Sequence, residues 1–274
     1  MNADRPAEED GDDQLEALDA PPSRLLFALE TRALAEFGLF LNSRLLWGLL
    51  PRGDGHPVLV LPGFTTGDVV TTPLRRFLRH RGYEAKAWRQ GVNVGMRHGL
   101  EIRMLRRLRE LAWLHDQPVS IIGWSLGGIY AREIARTQPA MVRQVITLGS
   151  PFAGSPKANH VWKLYENLAG EQIANEAKRL QGLERPLPVP STAIYSRTDG
   201  VVRWQCCVQR EGPRSENVEV YGSHCGLGHN PSVLAIVADR LAQPEGEWAP
   251  FDPGRYGCAF FPAERSRAAE ATTG

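Results

Sequence analysis

Val119-Ser120-Ile121-Ile122-Gly123-Trp124-Ser125-Leu126-Gly127-Gly128 is the stretch on which the fold turns. Residues 119–122 form a short apolar run, the mark of a strand buried on both faces. Residues 126–137 read as a helix. Between them stands a G-x-S-x-G pattern, with Gly128 as an additional small residue. A strand that enters a helix through so tight a turn holds its central residue in a strained backbone conformation, which the small neighbours permit. The Ser125 hydroxyl is thereby lifted clear of the sheet, at a helix N-terminus. There, unpaired N–H groups and the helix dipole favour a developing negative charge.

The same alternation extends in both directions. Residues 58–61, 83–88, 145–148, 193–195 and 218–220 read as further strands. Residues 73–81, 98–115 and 231–242 read as helices between and after them. About six buried strands separated by helices predict an α/β domain, with a mostly parallel central sheet covered on both faces. The domain is expected over residues 51–243. Residues 1–22 read as a disordered acidic tail. Residues 23–50 read as an N-terminal helical segment starting at Ser23, and residues 244–274 as an irregular tail. Residues 152–190, with Phe152, Trp162, Leu164 and Tyr165, are either a helical cap over the site or a packed surface excursion.

Charge is unevenly spread. The 274 residues carry 32 Lys+Arg and 31 Asp+Glu, a net charge of +1, which argues against a dedicated nucleic-acid binder. Residues 1–20 hold eight acids and one base, a charge of −7 that leaves +8 for the rest. An acidic start is the reverse of a signal peptide, and no run of 18 apolar residues suggests a spanning helix. A cytoplasmic or peripheral membrane protein is therefore expected. Residues 75–109 carry eleven bases and two acids, read as solvated helix faces or as a patch for anionic lipid. In residues 24–50, Leu and Phe are interrupted by Arg24, Glu30, Arg32, Glu36, Asn42 and Arg44. That segment is read as one or two packed helices broken near Gly38 or Gly48, or as an interfacial membrane helix.

A serine needs a base and an orienting acid to become a nucleophile. With the serine first in the chain, the acid is expected after a later strand and the histidine last. Asp199 follows the strand at 193–195, and His224 follows the strand at 218–220. His229, five residues later, is the lesser candidate base. Asp239, inside a helix, and Asp116, ahead of the serine, fit poorly as the acid. The two backbone N–H donors of an oxyanion hole are expected from Leu126 and, after the first strand, from Phe64. No further cluster of Cys, His or Asp has ligand spacing, so no metal site is expected.

With these motifs assembled, the chain resembles the alpha/beta-hydrolase superfamily, and within it small bacterial esterases and lipases with few insertions. The resemblance spans about residues 57–242. It rests on Leu61-Pro62-Gly63-Phe64, Gly123-Trp124-Ser125-Leu126-Gly127-Gly128, Asp199-Gly200 and Gly222-Ser223-His224-Cys225-Gly226-Leu227. Pro62-Gly63 departs from the His-Gly of many lipases but keeps the backbone donor. The resemblance implies the alpha/beta-hydrolase fold and a carboxylic ester hydrolase acting through an acyl-enzyme. Ser125, Asp199 and His224 would be catalytic, Phe64 and Leu126 would form the oxyanion hole, and no cofactor is implied. An ester or acyl-lipid would be the substrate. An acyltransferase on the same residues and a non-catalytic binding protein on this fold remain the alternatives. If the acid and base loops meet, a bridge from Cys206 or Cys207 to Cys225 is geometrically conceivable.

Overall fold

The structure, a computed structural model, describes residues 20–154, 181–257 and 261–262. Most of the stretch read as a cap, residues 155–180, and nearly all of the acidic tail lie outside the described residues. Six strands form one sheet: β1 (Pro57–Leu61), β2 (Glu84–Ala87), β3 (Val119–Trp124), β4 (Val142–Leu148), β5 (Ser191–Tyr195) and β6 (Ser215–Glu219). The spatial order is β2-β1-β3-β4-β5-β6 and every pairing is parallel. Among the described residues the α-helices are α1 (Arg24–Ala28), α2 (Ala33–Ser43), α3 (Thr72–His80), α4 (Leu100–His115), α5 (Leu126–Thr137) and α6 (Pro231–Leu241).

A strand turns alternate residues to opposite faces, and two cores result. Val58, Val60, Ile122, Ile146 and Ile194 meet Leu74 and Phe77 of α3 and the apolar side of α6. Leu59, Leu61, Ile121, Val145 and Ala193 meet Met104, Leu108 and Leu111 of α4 and Ile129 and Ile134 of α5. Continuous apolar runs such as residues 58–61 are what two-sided burial requires. The chain leaves β1 to form β2 on one side, then returns to form β3 on the other. The C-terminal ends of β1 and β3 therefore flank the point where strand order reverses, where an open α/β sheet leaves a crevice.

The N-terminal segment departs from expectation. Gly38 lies inside α2 rather than at a break, and Gly48 lies within the 3-10 turn Arg44–Leu49. The helical path changes instead at the 3-10 turn Leu29–Arg32. A glycine in a helix interior costs only about 1 kcal/mol, so it need not interrupt. The described part of the C-terminal tail holds one short turn. Residues Pro253–Tyr256 form a 3-10 turn, and Phe251 stacks on Tyr256 and meets Phe261 edge-on against the first core.

At the N-terminal ends of β1 and β3 lies a second chain of Ser, His and Asp. Buried His56 bonds Asp54 through Nδ1 and the Ser120 hydroxyl through Nε2, at 2.8 Å. Ser120 sits within β3 and is wholly buried, so the chain satisfies buried polar atoms at the start of β1 and β3. Ser120→Ala should leave Nε2 without a partner and lower stability by about 1–3 kcal/mol, read as a shift in the urea midpoint.

Candidate active site

Ser125 holds φ 51° and ψ −123°, a left-handed conformation that a residue with a Cβ rarely adopts. Two bonds hold it there. The Ser125 N–H donates to Leu148 O at 2.8 Å, and the Gly128 N–H donates to Ser125 O at 2.9 Å. The glycines are explained by contact. A Cβ on Gly127 would stand 2.5 Å from Leu61 O, and one on Gly123 would run into the Gly128 backbone. Helix α5 thus packs backbone to backbone against the ends of β1 and β3. Trp124 also contributes: its Nε1 donates to His224 O at 3.1 Å, and its ring lies against Gly228.

The loop after β1 lies beside this turn. Gly63 is so close that a Cβ there would be 3.2 Å from Ser125 Cβ. Phe64 follows directly. Thr65 has φ 58° and donates its N–H to Asn93 O at 2.6 Å, while the Asn93 N–H donates to Thr66 O at 2.8 Å. Buried Asn93 also donates Nδ2 to Pro62 O at 2.8 Å. One asparagine between β2 and α4 therefore fixes the loop that carries Phe64. Leu126, the first residue of α5, lies in the turn whose N–H groups have no partner within the helix.

Asp199 and His224 come from the loops after β5 and β6, and both are buried. Asp199 Oδ2 lies 2.6 Å from His224 Nδ1. Asp199 Oδ1 accepts the N–H groups of Val201 at 2.8 Å and Val202 at 2.7 Å. The pair stands over the end of β4. A Cβ on Gly149, where φ is +53°, would be 3.1 Å from His224 Nδ1 and 3.2 Å from Asp199 Oδ2. Gly149 follows Leu148, whose carbonyl holds Ser125, so the three loops converge on one corner of the sheet. Burial disfavours the charged imidazole, but the Asp199 carboxylate, its hydrogen bond and the Glu30 carboxylate outweigh it. The His224 pKa is therefore raised above the ordinary histidine value.

The remaining candidates have other partners. His229 Nε2 bonds Ala33 O at 3.2 Å, and its ring meets Phe37 edge-on at 5.3 Å. Asp239 accepts from Arg240 and, at 2.7 Å, from the Tyr256 hydroxyl. No disulfide joins Cys206 or Cys207 to Cys225, so the conceivable bridge is not formed. The first two are buried with Val201 and Val202 in the turn Trp204–Cys207, whereas Cys225 is exposed. Among the described residues, no group of three or more His, Cys, Asp or Glu could hold a metal ion.

Two residues that hold these loops, Asn93 and Trp124, escaped the sequence reading. Trp124 occupies a free position of its motif and Asn93 lies in a loop, so neither carries a local signal.

Among solved structures, the chain is similar to Aspergillus fumigatus lipase B at 18% identity and a TM-score of 0.55, covering 73% of this chain and 55% of that one. It is similar to Paleococcus ferrophilus monoacylglycerol lipase at 12% identity and a TM-score of 0.50, covering 68% and 96% of the two chains. It is similar to a Bacillus licheniformis lipase at 14% identity and a TM-score of 0.50, covering 70% and 94%. The chain thus spans about half the length of the A. fumigatus enzyme. No protein-family model and no curated protein matches the sequence. The chain has the alpha/beta-hydrolase fold.

Proposed function

We propose that the chain is a serine hydrolase that cleaves carboxylic esters through an acyl-enzyme on Ser125. The observation that carries the reading is the buried Asp199–His224 pair beside a serine held at positive φ. Ser125 Oγ attacks the ester carbonyl while His224 Nε2 takes its proton. The N–H groups of Phe64 and Leu126 receive the oxyanion. Collapse expels the alcohol, which leaves with the proton from His224. Water then attacks the acyl-enzyme, gives its proton to His224, and the acid is released as Ser125 is reprotonated. Asp199 holds the imidazole in the tautomer with Nδ1–H and stabilises its cation. A panel of p-nitrophenyl esters from short to long chain, with fluorophosphonate labelling, tests the reading. Turnover with labelling is expected; neither, in the folded chain, would overturn it.

The substrate class is an ester met at an anionic lipid surface. Among the described residues, large apolar side chains stand outward along residues 25–49: Leu34 is 80% exposed, Leu45 92% and Leu49 81%. Both carboxylates of that stretch, Glu30 and Glu36, turn inward, while Arg24 and Arg44 are exposed with the leucines. Trp47 packs against His80, so the exposed bases Arg76 and Arg79 of α3 adjoin the same face. An apolar face rimmed by arginine complements anionic lipid. Among the described residues, no helix is long and apolar enough to cross a membrane. The full chain carrying Ser125→Ala should sediment with phosphatidylcholine vesicles containing phosphatidylglycerol more than with phosphatidylcholine alone. Leu45→Asp with Leu49→Asp should reduce that binding several-fold. Equal binding to both vesicles overturns this reading, as does a dimer dissociated by the same substitutions, which would make a second copy the occupant.

A further inference from the structure

Residues 24–49 lie across the loops that carry Asp199 and His224, and their inward charges each have a defined partner. Glu30 Oε1 accepts the N–H of Gly200 at 2.8 Å and the N–H of His224 at 2.9 Å. Glu30 Oε2 accepts the N–H of Cys225 at 2.9 Å. One carboxylate therefore joins the residue after the acid to the base itself. Arg32 bridges the same two loops through carbonyls, donating to Thr198 O and, at 3.0 Å, to Gly222 O. Glu36 accepts the Ser223 N–H at 2.8 Å and the Ser223 hydroxyl at 3.0 Å. The fit leaves no room for side chains. A Cβ on Gly200 would run into the Leu26 carbonyl, and one on Gly226 into the Glu36 carboxylate.

We infer that Glu30 is a positioning residue for the reaction: its ionised carboxylate locks the acid and base loops in register and adds a second negative charge behind the His224 imidazole. The inference rests on the proposed ester hydrolysis. A carboxylate that accepts three backbone N–H groups forms charge-assisted bonds, stronger than neutral ones. Burial opposes its charge, but the N–H groups of Cys225, His224 and Gly200, then the His224 charge, outweigh burial and lower the Glu30 pKa. It thus stays ionised through the neutral range.

Several other groups surround His224. Asp199 faces it from the acid loop. From the N-terminal segment, Arg32 and Glu36 stand as a pair 3.5 Å apart. Cys225 on its own loop, partly covered, is pushed up to about 12 by that partial burial and by Glu30, so it stays a neutral thiol. Cys207, near Asp199, is likewise raised by burial. His229 is lowered by burial, which favours its neutral form. Asp199 and Glu30 are the carboxylates whose charge raises the His224 pKa.

A general base must be neutral to act, so kcat/KM should rise with pH through the His224 pKa. Glu30→Gln keeps size and one acceptor oxygen but removes the charge and turns an amide toward the Cys225 N–H. We expect kcat on a short soluble ester to fall by about 10–100-fold, the scale of a small misplacement of reacting groups, with KM little changed. The midpoint of the acidic limb should move to lower pH. Glu30→Asp, which retains the charge, should recover part of that midpoint. Glu36→Gln should leave it in place. The His224 ring titration by NMR, in a Ser125→Ala background, should show the same downward shift without any turnover. This readout separates a failure of the inference from a failure of the ester-hydrolase reading. A fall in kcat with both midpoints unmoved would overturn the inference, as would unchanged kcat. If Glu30→Gln does not fold, Glu30→Asp decides on the same readouts: its shorter reach should move the midpoint and the ring titration part of the way to lower pH, and values that stay with the wild type, or an equal displacement in Glu36→Gln, overturn the inference.

Discussion

Ser125→Ala should abolish ester hydrolysis and covalent fluorophosphonate labelling together, with kcat falling by about a million-fold. The size follows from the chemistry: without Oγ there is no acyl-enzyme, and only binding and the two N–H donors remain to assist water. The substitution is a clean one. Alanine keeps the Cβ and the Ser125 N–H bond to Leu148 O, and it meets the same backbone strain at φ 51° that serine does. The melting temperature should therefore match that of the wild type, so lost activity cannot be ascribed to lost fold. Labelling that persists in the variant would move the nucleophile elsewhere and sink the proposed role.

Asp199→Asn should cost about four orders of magnitude in kcat, again with the fold retained. The geometry determines which way the new amide turns. Asp199 Oδ1 accepts the N–H groups of Val201 and Val202, and the asparagine oxygen will keep those two bonds. Its NH2 must then point at His224 Nδ1, where Oδ2 now stands. The imidazole answers by accepting at Nδ1 and carrying its proton on Nε2, and in that tautomer it cannot take the proton of Ser125. Activity should recover partly at high pH, where serine ionises with less need of the base. A loss under about tenfold would show that Asp199 does not orient the base.

Two of the carboxylates in contact with the base loop illustrate what sequence patterns carry. Asp199 is visible because it follows a strand in the order that places an acid at the edge of the sheet. Glu30 is not, because its partners Gly200 and His224 lie 170 and 194 residues away. Periodicity reads neighbours on one element, and by that measure Glu30, Arg32 and Glu36 merely spoil an apolar helix. In the fold they are its inner face. Glu36 and Phe40 are the buried residues of α2, and leucines occupy the outside. The inversion has a physical cause. Loop backbone in a buried corner has N–H and C=O groups that no strand pairs, and their free energy demands partners. Charged side chains of the N-terminal segment supply them.

The sequence by itself determined the sheet. Short apolar runs such as residues 58–61 and 145–148, divided by helices, have few ways to bury both faces, and a parallel sheet follows. It also determined the turn at Ser125, because only small residues at positions 123, 127 and 128 let α5 meet β1 and β3 backbone to backbone. Tertiary structure alone decided how the loops beyond those strands are held. The clamp of Glu30 and Arg32, the anchoring of the Phe64 loop by Asn93 and the Trp124 bond to the His224 carbonyl each join segments distant in the chain. Such contacts satisfy backbone groups, which every residue carries alike, so no residue type or spacing announces them.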